Sequence, residues 1–226
     1  MWYAVENEKG VRDMRKALIF DLDGTLWDST GVIRPVWNGI LEAHGRASLS
    51  ESDFAGLMGL TKAAIAAKVF PALDEAARIA VIDECFTAEQ IALRRVGGRL
   101  YPGLRETLER LHELYPLCVV SNCAPGYLEA FFAAHGLRDC FDDWETHGGT
   151  GLSKGENIRL VCRRNGFDRA WFIGDTVSDA GAAAEAGLPF IHAAYGFGAV
   201  PEAIYRIETI SDLPALLTEI ERRDEA

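Results

Sequence analysis

A short apolar run near the start of the chain ends in two aspartates. Residues 17–20 (ALIF) are followed by Asp21 and Asp23, which one residue separates. In open α/β sheets, ligands bind beyond the carboxyl ends of the strands, and side chains two apart on a strand share a face. Two carboxylates held that close repel each other unless a cation, a proton or a substrate intervenes. The run therefore predicts a buried parallel strand with a charged site at its end.

Strand and helix patterns alternate through most of the chain. Apolar runs predict strands over 16–21, 117–121, 170–174 and 188–193, with a weaker one over 140–144. Helical spacing and helix-start residues predict helices over 103–114, 126–135, 154–165, 178–186 and 211–223. This alternation is typical of βαβ units. The predicted fold class is α/β with a mostly parallel sheet.

The segment from 31 to 99 interrupts the alternation. It contains no good strand, and its pattern predicts five helices, over 32–44, 51–57, 61–69, 73–82 and 84–96. A crossover needs only about a dozen residues, so we interpret 31–99 as an inserted helical cap domain. The remaining residues, 14–30 and 100–226, then form the core domain. The alternative is a set of ordinary crossover helices.

Composition narrows the classes of partner and compartment. The chain has 226 residues and a net charge of −11, which argues against a nucleic-acid partner. No apolar run reaches transmembrane length and no signal peptide is evident. Five cysteines without a C-x-x-C pair fit a reducing compartment. We expect a cytoplasmic monomer or homodimer without a membrane partner, and residues 1–13 fit either an upstream start or a short extra segment.

Polar residues also follow the later strands. Because the carboxyl ends of parallel strands meet at one edge of a sheet, we expect these side chains to converge with the first two aspartates. They are Ser121 and Asn122 after 117–121, Lys154 at the start of a helix, and Asp175 and Asp179 after 170–174.

These motifs, in this order, resemble those of the haloacid dehalogenase superfamily on its phosphatase side. They are DLDGT at 21–25, Ser121, Lys154 and GDTVSD at 174–179. The resemblance extends from Lys16 onward, and the run 21–29 is similar to the phosphoglycolate phosphatase group. It implies a Rossmann-like, doubly wound parallel sheet with strand order 3-2-1-4-5 and a helical cap inserted after the first motif.

The resemblance also implies catalytic roles that agree with the chemistry of the residues. Asp21 is the expected nucleophile and would form an aspartyl-phosphate. Asp23 is the expected general acid and base, with a pKa raised by burial and by its neighbour. The hydroxyl of Ser121 and the ammonium of Lys154 would stabilise the charge of the transferring phosphoryl group.

Oxygen ligands at the same edge suit Mg²⁺. The expected ligands are Asp21, the backbone carbonyl of Asp23, and Asp175, with positions left for water and phosphate. Asp179 fits three interpretations: a direct ligand, a residue that orients metal-bound water, or a helix N-cap.

Three further residues are expected to bind substrate. Gly24 gives the turn the freedom to bring backbone amides near phosphate, and Thr25 and Asn122 adjoin the motifs. The loop 56–62 is the expected specificity segment of the cap. Lys62 and Arg34 are candidate contacts there, and a solvated surface position explains each of them as well.

The predicted function is Mg²⁺-dependent hydrolysis of the phosphate monoester of a small metabolite. In the superfamily, an aspartate at the position of Asp23 favours phosphate esters over halogenated acids. A β-phosphoglucomutase-like sugar phosphate mutase remains an alternative. A catalytically silent protein that binds a phosphate ligand is another, because fold does not fix function.

Overall fold

The computed structural model describes residues 14–224; the segment 1–13, whose role the sequence leaves open, lies outside the described residues. A six-stranded parallel sheet forms the centre, in the order β5-β4-β1-β6-β7-β8. Its strands are β1 (Lys16–Phe20), β4 (Leu117–Ser121), β5 (Asp143–Thr146), β6 (Arg169–Gly174), β7 (Phe190–Ala193) and β8 (Tyr205–Ile207), and a separate two-stranded sheet pairs β2 (Trp27–Asp28) with β3 (Arg99–Leu100).

Ten α-helices lie among residues 14–224. Four lie between the two short strands: α1 (Thr30–Ala43), α2 (Glu51–Ala55), α3 (Lys62–Val69) and α4 (Glu75–Val96). The others are α5 (Leu104–His112), α6 (Tyr127–His135), α7 (His147–Thr150), α8 (Lys154–Asn165), α9 (Val177–Ala186) and α10 (Leu213–Asp224). Two 3₁₀ turns span Arg138–Cys140 and Ile210–Asp212.

Strand β1 occupies the middle of the sheet because both of its faces are apolar. Leu18 and Phe20 belong to one hydrophobic cluster, and Ala17 and Ile19 belong to another. Helices cover both clusters, as a parallel sheet requires. This arrangement confirms the doubly wound α/β fold and the order 3-2-1-4-5, to which β8 adds a short edge strand that the sequence analysis did not predict.

The helical segment differs from its prediction in one respect. The division into helices at 73–82 and 84–96 is wrong, because α4 is continuous through Asp83. Asp74 caps its start, accepting a hydrogen bond from the Ala77 backbone N–H at 2.9 Å, and no Gly or Pro interrupts residues 75–96. The side chain of Asp83 is exposed on the solvent face of α4, so its charge does not interrupt the helix.

A two-stranded antiparallel ribbon joins the two ends of the helical segment. Trp27 pairs with Leu100 and Asp28 with Arg99, antiparallel. The sequence analysis predicted neither strand, because two residues give no periodic signal. Helix α4 also packs against α6, which follows β4, so the helical segment lies over the carboxyl end of the central strands.

Within residues 14–224, the helices are all too short or too polar to cross a lipid bilayer.

Candidate active site

The end of β1 brings Asp21 into contact with Lys154. The Asp21 backbone N–H donates to the Ile173 carbonyl at 2.8 Å and so extends the pairing with β6. The Asp21 side chain is buried, and its Oδ1 accepts a hydrogen bond from Lys154 Nζ at 2.8 Å. The same ammonium donates to Asp179 Oδ1 at 2.7 Å.

Lys154 occupies an unusual position for a lysine. It is the first residue of α8, where the helix dipole disfavours a cation, and a reciprocal capping box between Ser153 and Glu156 fixes this helix start. Burial alone lowers the pKa of Lys154, but the charges of Asp179 and Asp21 outweigh burial and raise it. The two carboxylates therefore favour the charged form of Lys154.

Asp21, Asp175 and Asp179 form an acidic cluster, each offering a carboxylate oxygen within 4.8 Å of the others. All three side chains are buried. Asp175 Oδ2 accepts from the Phe197 backbone N–H at 2.7 Å, whereas its buried Oδ1 has no hydrogen-bond partner. Burial raises the pKa of Asp175 to about 7, with the charge of Asp179 adding to the effect. Burial also raises the pKa of Asp21, and the charge of Asp179 raises it further.

This acidic cluster fits a divalent cation. Three carboxylates face one ammonium, and the unpartnered Asp175 Oδ1 is a ligand atom that the protein itself does not use. Asp179 differs from the other two residues. Burial favours its neutral form, but Lys154 and the hydrogen bonds from Thr176 outweigh burial and lower the pKa of Asp179. Its four hydrogen bonds come from Lys154, from the Asp175 N–H, and from the N–H and hydroxyl of Thr176.

Asp179 also completes a helix start. Helix α9 begins at Val177, Thr176 is its N-cap, and Asp179 closes a capping box from the third helical position. The N-cap interpretation of Asp179 is therefore wrong in position, because the helix begins three residues earlier than Ala180.

Asp23 is held by three donors on a single oxygen. Its Oδ1 accepts hydrogen bonds from Trp27 Nε1 at 2.9 Å, Ser29 Oγ at 2.8 Å and Tyr127 OH at 2.8 Å. Burial raises the pKa of Asp23, and these hydrogen bonds offset part of the effect. The arrangement fixes the carboxyl through Oδ1, and none of these three donors contacts Oδ2. Asp23 contributes no side-chain oxygen to the acidic cluster.

Gly24 makes the turn after β1 and lies against the acidic cluster. Its φ of +83° suits glycine, and a Cβ there would lie 2.1 Å from Asp175 Oδ2. Thr25 follows with its hydroxyl buried and unpartnered, and its carbonyl accepts from Tyr195 OH at 2.9 Å. The turn therefore leaves no space between its backbone and the Asp175 carboxylate.

A cavity of about 40 Å³ lies between these residues and the helical segment. Asp21, Asp23, Ser121 and Asn122 line its sheet side. Residues 57–60, α1, α3 and α4 contribute the opposite side, and Asn122 Nδ2 donates to the Gly59 carbonyl at 2.9 Å across the gap. Lys154 instead lines a more open neighbouring cavity of about 540 Å³, beside Ser153 and Glu185.

Several expected substrate contacts lie elsewhere. Gly24 and Thr25 do not line the 40 Å³ cavity. Lys62 forms an ion pair with Asp83 on the helical segment, and neither Lys62 nor Arg34 lines either cavity.

The structure also adds residues that the sequence analysis missed. Trp27 and Ser29 lie in the run 21–29, whose composition was a usable signal. Tyr127 comes from α6 and Glu89 from α4, more than sixty positions after Asp23, so no local pattern connects them to it.

The fold and the motifs agree with known proteins. A family model described as haloacid dehalogenase-like hydrolase matches residues 15–187. A phosphoglycolate phosphatase of Rhodobacter capsulatus is 31% identical over 215 residues, which is 90% of this chain and 95% of that protein. One from Synechococcus elongatus is 28% identical and covers 92% of this chain and all of that protein.

Solved structures show the same fold. A protein from Clostridium acetobutylicum, described as a predicted phosphatase, superposes with a TM-score of 0.78 at 22% identity, over 91% of this chain and 99% of that one. CbbY of Rhodobacter sphaeroides, solved with xylulose-1,5-bisphosphate, gives 0.73 at 21% identity, over 88% and 96% of the two chains. From the matched family model and the relatives, this chain belongs to the haloacid dehalogenase-like hydrolases and is a phosphatase.

Proposed function

We propose that the chain hydrolyses a small phosphate monoester through an aspartyl-phosphate on Asp21, with Mg²⁺ as cofactor. One observation carries the proposal: Lys154 contacts Asp21 inside a buried acidic cluster, while Asp23 is fixed beside it by Trp27, Ser29 and Tyr127. This supplies a nucleophile, an acid and charge compensation at the end of one strand, which phosphoryl transfer requires.

In the first step, Asp21 attacks phosphorus and the bond from phosphorus to the ester oxygen breaks. Lys154 binds Oδ1 of Asp21, so Oδ2 is the attacking atom. Asp23, whose pKa burial raises, donates a proton from Oδ2 to the leaving oxygen when it is in its acid form. In the second step, Asp23 takes a proton from the water that cleaves the aspartyl-phosphate.

The phosphoryl oxygens need donors that the protein holds in place. Ser121 is buried at the end of β4 and lines the 40 Å³ cavity together with Asp21. Its hydroxyl and the Lys154 ammonium are the donors that we assign to these oxygens. We assign Asn122 to substrate binding and to contact with the cap, through its bond to the Gly59 carbonyl.

Asp21, Asp175 and the Asp23 carbonyl would hold Mg²⁺. When bound, the ion neutralises the charge that gathers on the phosphoryl group. Asp179 already accepts four hydrogen bonds, so we place it beside the ion, where it orients Lys154.

We further propose that residues 31–99 form a cap domain over a core of residues 14–30 and 100–226. One water needs about 10–15 Å³ of such a cavity, so a cavity of about 40 Å³ suits the alcohol of a small metabolite. Because these relatives are phosphoglycolate phosphatases, phosphoglycolate is the reference ester.

The test is phosphate release from p-nitrophenyl phosphate and from a panel of small phosphate esters, with Mg²⁺ and with EDTA. We expect Mg²⁺-dependent phosphate release that Asp21→Asn abolishes. The control is Asp53→Asn, which changes an exposed aspartate of α2 and should retain the release. Full release by Asp21→Asn would contradict the proposal. Isomerisation of a sugar phosphate without net release would indicate the mutase, and binding without turnover would indicate the silent protein.

A further inference from the structure

A carboxyl group lies on the cap side of the 40 Å³ cavity. Glu89 of α4 is 3% exposed and lines the cavity together with Asp21 and Asp23. Its Oε2 accepts a hydrogen bond from Trp37 Nε1 at 2.6 Å. Within residues 14–224, Glu89 has no ion-pair partner and no second hydrogen bond.

Such a residue is costly for the fold. Buried carboxyls are normally paired with a cation or with several donors. Burial raises the pKa of Glu89 and the charge of Asp23 raises it further, whereas the bond from Trp37 lowers it. A neutral acceptor would satisfy Trp37 Nε1 without this cost, so the second carboxylate oxygen calls for another explanation.

The rest of the cavity wall sets the chemistry that fits there. On the cap side it is apolar and aromatic: Ile33, Trp37, Leu57, Met58, Leu60, Ile65 and Phe86. Among the described residues, no Lys, Arg or His lines it. A carboxylate on the substrate would therefore face Asp21, Asp23 and Glu89 in this cavity, with no cation in its lining. A hydroxyl or an ammonium would instead donate the hydrogen bond that Glu89 lacks.

We infer that Glu89 is a specificity-determining residue that selects phosphate esters whose alcohol bears a hydrogen-bond donor, a hydroxyl or an ammonium, and rejects those that bear a carboxylate. This inference rests on the proposed phosphatase function and names its substrate class. The donor contacts Oε1 of Glu89 while the phosphoryl group lies at Asp21, on the opposite side of the cavity. The aromatic rings of Trp37 and Phe86 also favour a cation.

The test compares four esters of similar size: 2-aminoethyl, 2-hydroxyethyl and propyl phosphate, and phosphoglycolate. We expect kcat/KM to be roughly tenfold or more higher for at least one donor-bearing ester than for propyl phosphate, and lowest for phosphoglycolate. Comparison of the amino and hydroxy esters shows which donor Glu89 prefers. We expect the same ranking of affinities when dissociation constants are measured with Asp21→Asn. This binding measurement does not depend on turnover.

Glu89→Gln gives the sharper readout. Its single amide oxygen stays with Trp37, so its NH₂ group faces the cavity and an acceptor becomes a donor. We expect the ratio of kcat/KM for the donor-bearing ester to that for phosphoglycolate to fall by about tenfold or more. Glu84→Gln, on the same helix but on the surface beside His44, is the control and should leave the ratio unchanged.

Two results would overturn the inference. One is a wild-type preference for phosphoglycolate over both donor-bearing esters, in kcat/KM and in binding. The other is an unchanged ester ratio in Glu89→Gln, which would make Glu89 only the acceptor for Trp37. Absence of turnover with every ester would instead contradict the proposed phosphatase mechanism, and the binding series would still decide the role of Glu89.

Discussion

Removing the ammonium of Lys154 should destabilise the fold far more than removing a surface ammonium. Lys154 contacts Asp21 and Asp179 at 2.8 and 2.7 Å, and all three side chains are at most 4% exposed. Lys154→Met leaves these carboxylates buried without their cation. Loss of one partner of a buried ion pair costs about 3–5 kcal/mol, and in a chain of this size 1 kcal/mol shifts Tm by about 2–4 °C. We expect Tm to fall by about 6–20 °C.

The assay is thermal unfolding followed by circular dichroism, with EDTA present so that no divalent ion compensates for the lost charge. Lys16→Met is the matched control. Its ammonium pairs with Glu221 at a similar distance, 2.7 Å, but both side chains are a quarter or more exposed, so the loss should be about 0–1 kcal/mol. Equal Tm values for the two variants would refute the claim that Lys154 balances a buried acidic cluster.

Three other perturbations test separate parts of the site. Tyr127→Phe removes one of the three donors to Asp23 but keeps the ring, so kcat should fall about tenfold with little change in Tm; an unchanged kcat would contradict a positioning role. Gly24→Ala should lower both stability and activity, because its Cβ meets the acidic cluster, whereas Gly45→Ala, also at positive φ but with open space around it, should lose only about 1–2 kcal/mol of stability and no activity. Burial raises the pKa of the Cys123 thiol, so alkylation by iodoacetamide should be slow in the native protein and fast after unfolding; rapid native labelling, read by mass spectrometry, would show that this thiol is accessible and ionised.

Four strands of the central sheet, β1, β4, β6 and β7, were predictable because each is a local apolar pattern. The four buried apolar residues before Asp21 need no distant partner to be recognised as a parallel strand. The weaker strand shows the limit of this signal. It was predicted at 140–144, but β5 spans Asp143–Thr146, because residues 138–140 form a 3₁₀ turn that local composition does not distinguish from a strand start.

Short or one-turn elements gave no such signal. His147–Thr150 form one helical turn, capped by Thr146, which the sequence analysis did not predict. Two glycines in four residues disfavour a helix, so this turn depends on its surroundings rather than on propensity. The pairing of β2 with β3 likewise depends on contacts between residues more than seventy positions apart.

The residues of the site likewise divide into those that local motifs predict and those that only tertiary packing brings together. Asp21, Asp23, Lys154 and Asp175 lie in short motifs at strand or helix ends, which fixed their positions before the fold was known. Tyr127 and the cap-side acid Glu89 reach the same place through the packing of α6 and α4. When a helix face buries one polar residue among apolar ones, its sequence pattern looks like that of an ordinary amphipathic helix, so the pattern does not identify the polar residue as part of a site.

The most direct test of the proposed mechanism is a trapped phosphoryl group on Asp21. If Asp23 is the general base as proposed, Asp23→Asn should slow cleavage of the aspartyl-phosphate more than its formation from p-nitrophenyl phosphate, whose leaving group needs no proton. Acid quenching during turnover, followed by peptide mass spectrometry, should therefore find the mass of one added phosphoryl group on the peptide that contains Asp21, and borohydride should reduce that acyl phosphate. Phosphate release in wild-type protein with no phosphorylated Asp21 in the quenched variant, or with the phosphoryl group on another residue, would contradict the account.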